Sequence, residues 1–230
     1  MRRRPPPCCS MKSSDSARAG NAASLRAAVR ALRRRDPVLR RIMQQIGPCH
    51  LRPQRHFFWA LAEAIVSQQL SVAAAATIFK RLRQLYPDHR VPRPQDLLAT
   101  PAVWLRAVGL SRQKVVYLKE LAEAALDGRL PARRLHSLSD EEIIGTLTKL
   151  HGIGRWTAEM FLIFVMLRLD VFPVDDLGLQ KAIQRAYQLR RHPSAATMRR
   201  IAKRWEPYRT VATWYLWASR DGKGVVYGEG

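Results

Sequence analysis

A chain of 230 residues, 47% of them hydrophobic, can bury a sizeable core, either as one large domain or as two small lobes. Forty Lys and Arg against 18 Asp and Glu leave a formal charge of +22, which favours a polyanionic partner, nucleic acid first, through counterion release. No stretch reaches the roughly 18 apolar residues of a membrane span, the first ten residues lack the apolar run of a signal peptide, and Cys8, Cys9 and Cys49 are too few for a disulfide framework or a four-cysteine metal site; an intracellular protein is expected.

Residues 1–20 combine Arg2 to Arg4, Pro5 to Pro7 and a Ser/Ala/Gly stretch, a composition that predicts a disordered basic tail ahead of a folded domain over 21–230. From Ser24 the pattern turns helical, with Leu25, Val29 and Leu32 on one stripe until Pro37 stops it. The apolar run from Phe57 through Ala76 is interrupted by Ser67-Gln68-Gln69-Leu70-Ser71, which reads as helix, polar bend and helix. Further helices are expected over Asp96–Val108, Ser111–Leu126 and Ser139–Leu150, the last opened by a capping-box pattern at Ser139 and Glu142. Two more fall between Ser194 and Trp205 and between Pro207 and Ser219. No segment alternates long enough to demand a strand, so the fold class is all-α, with sequential helical hairpins packed as two lobes flanking a cleft.

The most informative stretch is Leu150-His151-Gly152-Ile153-Gly154-Arg155-Trp156-Thr157-Ala158, followed about twenty residues later by Pro173-Val174-Asp175-Asp176. A Gly-x-Gly turn between helices lets backbone amides approach a phosphate where a side chain at Gly152 or Gly154 would collide. An acidic pair in so basic a chain would be repelled by phosphate unless it serves chemistry at a sugar or base. Either Asp could also be no more than a helix cap. Together these features suggest an enzyme acting on DNA.

These residues, with Val171 to Lys181, resemble the helix-hairpin-helix (HhH-GPD) DNA glycosylase superfamily. Ile65 to Ser71 resembles its DNA-intercalating turn, and Trp205-Glu206-Pro207-Tyr208-Arg209 with Ala212-Thr213-Trp214-Tyr215 resembles its DNA-3-methyladenine glycosylase II branch. The resemblance spans roughly residues 36–220. It implies that the amides at Gly152 and Gly154 bind phosphates just 3′ of a lesion, with a hydroxyl contact from Thr157 and a phosphate-facing Lys181. It implies that the carbonyls of Thr148, Leu150 and Ile153 hold a monovalent cation, Na+ or K+, with no other cofactor required. It places the catalytic carboxylate at Asp176, where an ionised group stabilises oxocarbenium character on deoxyribose and can orient or deprotonate water.

The same resemblance puts Trp156 and Trp214 in the base pocket with Met160 and Leu177 as walls, positions where the family often has aromatic residues. Bifunctional members, which also nick the strand, carry a lysine at the Trp156 position because an amine must attack C1′. A monofunctional enzyme is therefore expected. Gln69, then Leu70, is the candidate wedge that fills the stack when a nucleotide flips, with Ser71 beside it at the DNA. The implied function is hydrolysis of alkylated purines such as 3-methyladenine and 7-methylguanine from damaged double-stranded DNA, starting base excision repair, by a monomer with no membrane partner. The alternatives are a glycosylase for other damaged bases and a non-catalytic helix-hairpin-helix DNA-binding module.

Overall fold

The computed structural model describes residues 12–54, 56–87, 91–131 and 134–221. Among them every regular element is helical. They form two compact units, one from the residues before Pro53 together with those from Val174 onward, the other spanning Pro53–Pro173.

The first unit opens with α1 (Lys12–Arg35) and α2 (Pro37–Ile46). The apolar stripe from Leu25 to Leu32 lies in α1, and the helix starts at Lys12, earlier than the Ser24 the pattern suggests. Ala17, Ala19, Ala22 and Ala23 explain the extension, since alanine costs least to hold in a helix. Residues 1–11 of the expected basic tail lie outside the described residues.

Pro37 does not simply stop α1. With Asp36 as N-cap it starts α2, the carboxylate accepting the Val38 and Leu39 amides at 2.9 and 3.2 Å. The unit is completed by α10 (Leu177–Ala186), α11 (Ala195–Ala202) and α12 (Arg209–Asp221). A 3-10 turn at Lys203–Trp205 follows α11, and Pro207, in a cis peptide with Glu206, sits just before α12. Leu32, Leu39, Ile183, Trp205 and Tyr215 form its fully buried centre.

At that centre Asp36 is wholly enclosed. Its second oxygen accepts the Tyr187 hydroxyl at 2.6 Å and the Trp205 indole N–H at 2.9 Å. Burial, and then the Asp36 carboxylate, push the Tyr187 pKa up. One side chain thus joins the α1–α2 corner to the end of α10 and to the turn after α11.

The second unit runs α3 (Phe57–Ser67), α4 (Val72–Gln84), α5 (Pro94–Ala99), α6 (Ala102–Ala107), α7 (Arg112–Leu126), α8 (Asp140–Leu147) and α9 (Arg155–Met160). The single helix expected over Asp96–Val108 is two, because Pro101 offers no amide and forces the preceding Thr100 into an extended conformation. Ser111 and Ser139 cap α7 and α8, and Glu142 closes the capping box back onto Ser139. After α9 the chain winds as a π-helix over Phe161–Val165, all five residues buried. Leu61, Ile65, Leu97, Leu118, Leu147 and Leu162 are fully buried in this unit.

Candidate active site

In the second unit the hairpin turn joins α8 to α9, and its two glycines differ in what demands them. Gly152 has φ +82°, and a Cβ there would fall 2.4 Å from the Tyr117 ring, so the protein itself forbids a side chain. Gly154, the N-cap of α9, has nothing within 4 Å of its Cβ position.

Arg155 is held by Glu141, at 2.5 Å, and by the buried Glu159, at 3.2 Å, which fastens α9 to the start of α8. Trp156 is exposed, Met160 is half-buried, and Thr157 is only 7% exposed. Thr157, from which a phosphate contact is expected, is buried on α9 together with Ala158 and Glu159. The carbonyls of Thr148, Leu150 and Ile153 all lie in the turn between α8 and α9. That of Leu150 accepts the Ile153 amide at 3.1 Å and keeps a second lone pair.

The polar bend after α3 is a turn, as expected. Gln69 is left-handed, with φ 57°, while Gln69, Leu70 and Ser71 are all exposed. Ser71 serves as N-cap of α4, accepting the Ala74 amide at 3.2 Å. Gln68 reaches from the turn to donate its side-chain amide to the Gly152 carbonyl at 2.6 Å, bringing the two turns together.

In the first unit Asp176 is the N-cap of α10, and Asp175 beside it is exposed and caps nothing. Asp176 Oδ1 accepts the Leu179 amide at 2.5 Å and the Trp217 indole N–H at 2.9 Å. These two contacts help fix the orientation of the carboxylate. A Cβ on Gly178 would fall 2.5 Å from Arg220 Nη1 and 3.1 Å from Asp176 Oδ1, so glycine here leaves room for a guanidinium beside the carboxylate. Leu177 and Lys181, one turn apart on α10, are both exposed.

The tryptophan brought to Asp176 is therefore Trp217. Trp214, expected in the pocket, is 2% exposed, with its indole edge-on to Tyr215 and His50. Residues Thr210 to Ala218 are buried without a break, so α12 has no apolar stripe from which its inward and site-facing sides could be told apart. The clue that was available is spacing: Trp217 and Arg220 are three residues apart and share one face of the helix, the face that meets the start of α10.

A glycine hairpin between helices, a polar turn fastened to it and an anchored aspartate at a helix N-terminus define a helix-hairpin-helix protein of the DNA repair type. The chain belongs to the HhH-GPD superfamily of base excision DNA repair proteins, whose model matches residues 62–207. DNA-3-methyladenine glycosylase 1 of Schizosaccharomyces pombe is 35% identical over 188 residues, which cover 79% of this chain and 82% of that protein. The structure of the S. pombe 3-methyladenine DNA glycosylase in complex with abasic DNA superposes with a TM-score of 0.74 at 33% identity, covering 87% of this chain and 100% of that one. A DNA-3-methyladenine glycosidase from Bacillus halodurans gives a TM-score of 0.76 at 34% identity over 84% of this chain and 88% of that one.

Proposed function

We propose that this protein is a monofunctional DNA glycosylase that hydrolyses the N-glycosidic bond of alkylated purines in duplex DNA, initiating base excision repair. The observation that carries the reading is Asp176, fixed through Oδ1 by the Leu179 amide and the Trp217 indole at the start of α10. Breaking the bond leaves positive charge on the deoxyribose, and a carboxylate already oriented stabilises it without reorganising. The same group can orient or deprotonate the attacking water. A DNA-binding module without catalysis would need the carboxylate only as the cap of α10.

The substrate class follows from chemistry as well as kinship. N-alkylation makes a purine cationic and weakens its bond to the sugar, so a π-face can select it without a strong general acid. Trp156, exposed on α9, offers one. The open side of Gly154 admits the DNA backbone, and Gln69 or Leu70 fills the stack left by the flipped nucleotide. The carbonyls of Thr148, Leu150 and Ile153, hard oxygen donors in one turn, suit Na+ or K+, which would brace the turn at the phosphate. The enzyme acts as a monomer in the compartment that holds the DNA, and no organic or redox cofactor enters the reaction. No helix among the described residues is long and apolar enough to cross a membrane.

The test is mass spectrometry of bases released from a duplex carrying several lesions, read with strand integrity on gels. 3-Methyladenine and 7-methylguanine are expected in solution, the strand intact at neutral pH, and no borohydride-trapped adduct, since Trp156 supplies no amine. Release of only deaminated or oxidised bases would transfer the protein to another lesion class, and a trapped adduct would end the monofunctional assignment.

Trp217→Phe keeps the aromatic ring and removes the indole donor. Single-turnover excision is expected to fall about tenfold, the value of one hydrogen bond to a charged group, with DNA affinity unchanged. Full activity in this variant would mean that the Trp217 indole is not needed to position the carboxylate.

A further inference from the structure

The turn assigned as the wedge is conformationally costly. Gln69 is left-handed at φ 57°, a state that non-glycine residues hold only when their surroundings impose it. The constraint comes from α7. Lys114 donates from Nζ to the carbonyls of Val66 and Gln68, each at 2.7 Å. Val66 is in the last turn of α3, where carbonyls have no partner within the helix. Gln68 in turn donates to the Gly152 carbonyl at 2.6 Å.

The same face of α7 continues toward the hairpin. Tyr117, three residues on, places its ring where a Gly152 side chain would stand and stacks on His151 at 6.4 Å with 11° between the planes. Glu120, three residues further, pairs with His151 Nδ1 at 2.7 Å. Positions i, i+3 and i+6 follow one stripe of a helix and span about 9 Å along its axis. Both turns that approach DNA are thus fastened to one rigid rod.

We propose that Lys114 is a positioning residue: from the Lys114–Tyr117–Glu120 face of α7 it holds the Gln68–Leu70 turn rigid, in fixed register with the phosphate-binding hairpin. This rests on the glycosylase reading above. Two of its three ammonium donors are committed to carbonyls, and burial lowers its pKa, so it is not arranged as a surface cation seeking phosphate. A turn held in advance loses little freedom when it enters the base stack, whereas a loose one is ordered at the cost of the flipped state.

Two variants separate positioning from plain support. Lys114→Met keeps the length of the side chain and removes its donors; Lys114→Arg keeps donors. Each is compared with the natural protein in thermal stability, in the affinity and salt slope for undamaged duplex, and in single-turnover excision of 7-methylguanine paired with cytosine or placed within a mismatched bubble. Emission of 2-aminopurine beside an abasic analogue reports opening of the stack.

Lys114→Met is expected to bind undamaged duplex within about twofold with an unchanged salt slope. Excision of the paired lesion should fall roughly 10- to 30-fold and that of the bubble lesion less than about threefold, because an opened stack needs no wedge. The emission rise should shrink in parallel, and Lys114→Arg should restore most of both. Equal losses on the two substrates, or a salt slope reduced by about one unit, would overturn the proposal in favour of general support or a phosphate contact.

If Lys114→Met does not fold, Gln68→Leu, which cuts the link to Gly152, must give the same split between paired and bubble substrates, or the proposal fails. If the natural protein opens the stack at an abasic site but releases no base, the glycosylase reading is lost. The effect of Lys114→Met on 2-aminopurine emission then decides the positioning role by itself.

Discussion

Replacing Asp176 with Asn is expected to slow base excision at least about 100-fold while leaving the fold and the affinity for abasic DNA nearly unchanged. On the function proposed above, the carboxylate has two tasks that this substitution separates. As N-cap of α10 it accepts the Leu179 amide, and Asn accepts there about as well as Asp, so the helix keeps its start. The Trp217 indole donor also finds an oxygen still in place. The charge is lost, and a preorganised electrostatic contact to charge developing in a transition state is worth about 2.7–4 kcal/mol. The measurement is single-turnover release of methylated purines beside a binding titration on abasic duplex. Should Asp175→Asn prove the damaging change, with Asp176→Asn near normal, the reaction does not use the anchored carboxylate.

Asp36→Ala carries the largest expected stability effect. The substitution removes the N-cap of α2, about 1 kcal/mol, and takes the shared acceptor from the Tyr187 hydroxyl and Trp205 indole N–H beside a wholly enclosed position, about 1–3 kcal/mol each. A total of about 4 kcal/mol should lower Tm by roughly 10 °C in a chain of this size. Calorimetry or denaturant unfolding reads it. Adding Tyr187→Phe and Trp205→Phe should restore part of the loss, because removing both sides of a buried hydrogen bond costs less than removing one. A change below about 1 kcal/mol in the single variant would show that water satisfies the stranded donors.

What could be read from the sequence was local. Ser111, Ser139 and Ser194 announce helix starts because the cap and its acceptor lie within three residues. Gly152, Gly154 and the pair Asp175-Asp176 stood out by residue type at short spacing, and the family resemblance pointed to Asp176 within the pair. The missed features are those that depend on distant partners. Lys114 looks like any lysine on a helix until Val66 and Gln68, 48 and 46 residues away, are found beneath it. Asp36 looks like a simple cap, although its other partners lie 151 and 169 residues off. Trp214 and Trp217 share a helix buried on all sides, where periodicity says nothing about which ring meets Asp176. The break at Thr100-Pro101 is different, since Pro101 gave the signal and the apolar pattern running through it masked the stop.

The two units also differ in when they can form. The unit over Pro53–Pro173 is one continuous segment, whereas α1 and α2 must wait for the chain after Val174. A ribosome adding about 5–20 residues per second takes on the order of ten to thirty seconds to pass from Asp36 to Trp205. For that interval Leu32 and Leu39 have no α12 to cover them, and the Asp36 carboxylate is held by water instead of Tyr187 and Trp205. The hairpin unit thus closes during synthesis, and the unit carrying Asp176 only near its end. A nascent chain stalled before α12 would display an assembled DNA-gripping turn beside uncovered apolar helices, which makes it a substrate for chaperones and proteases rather than a partial enzyme.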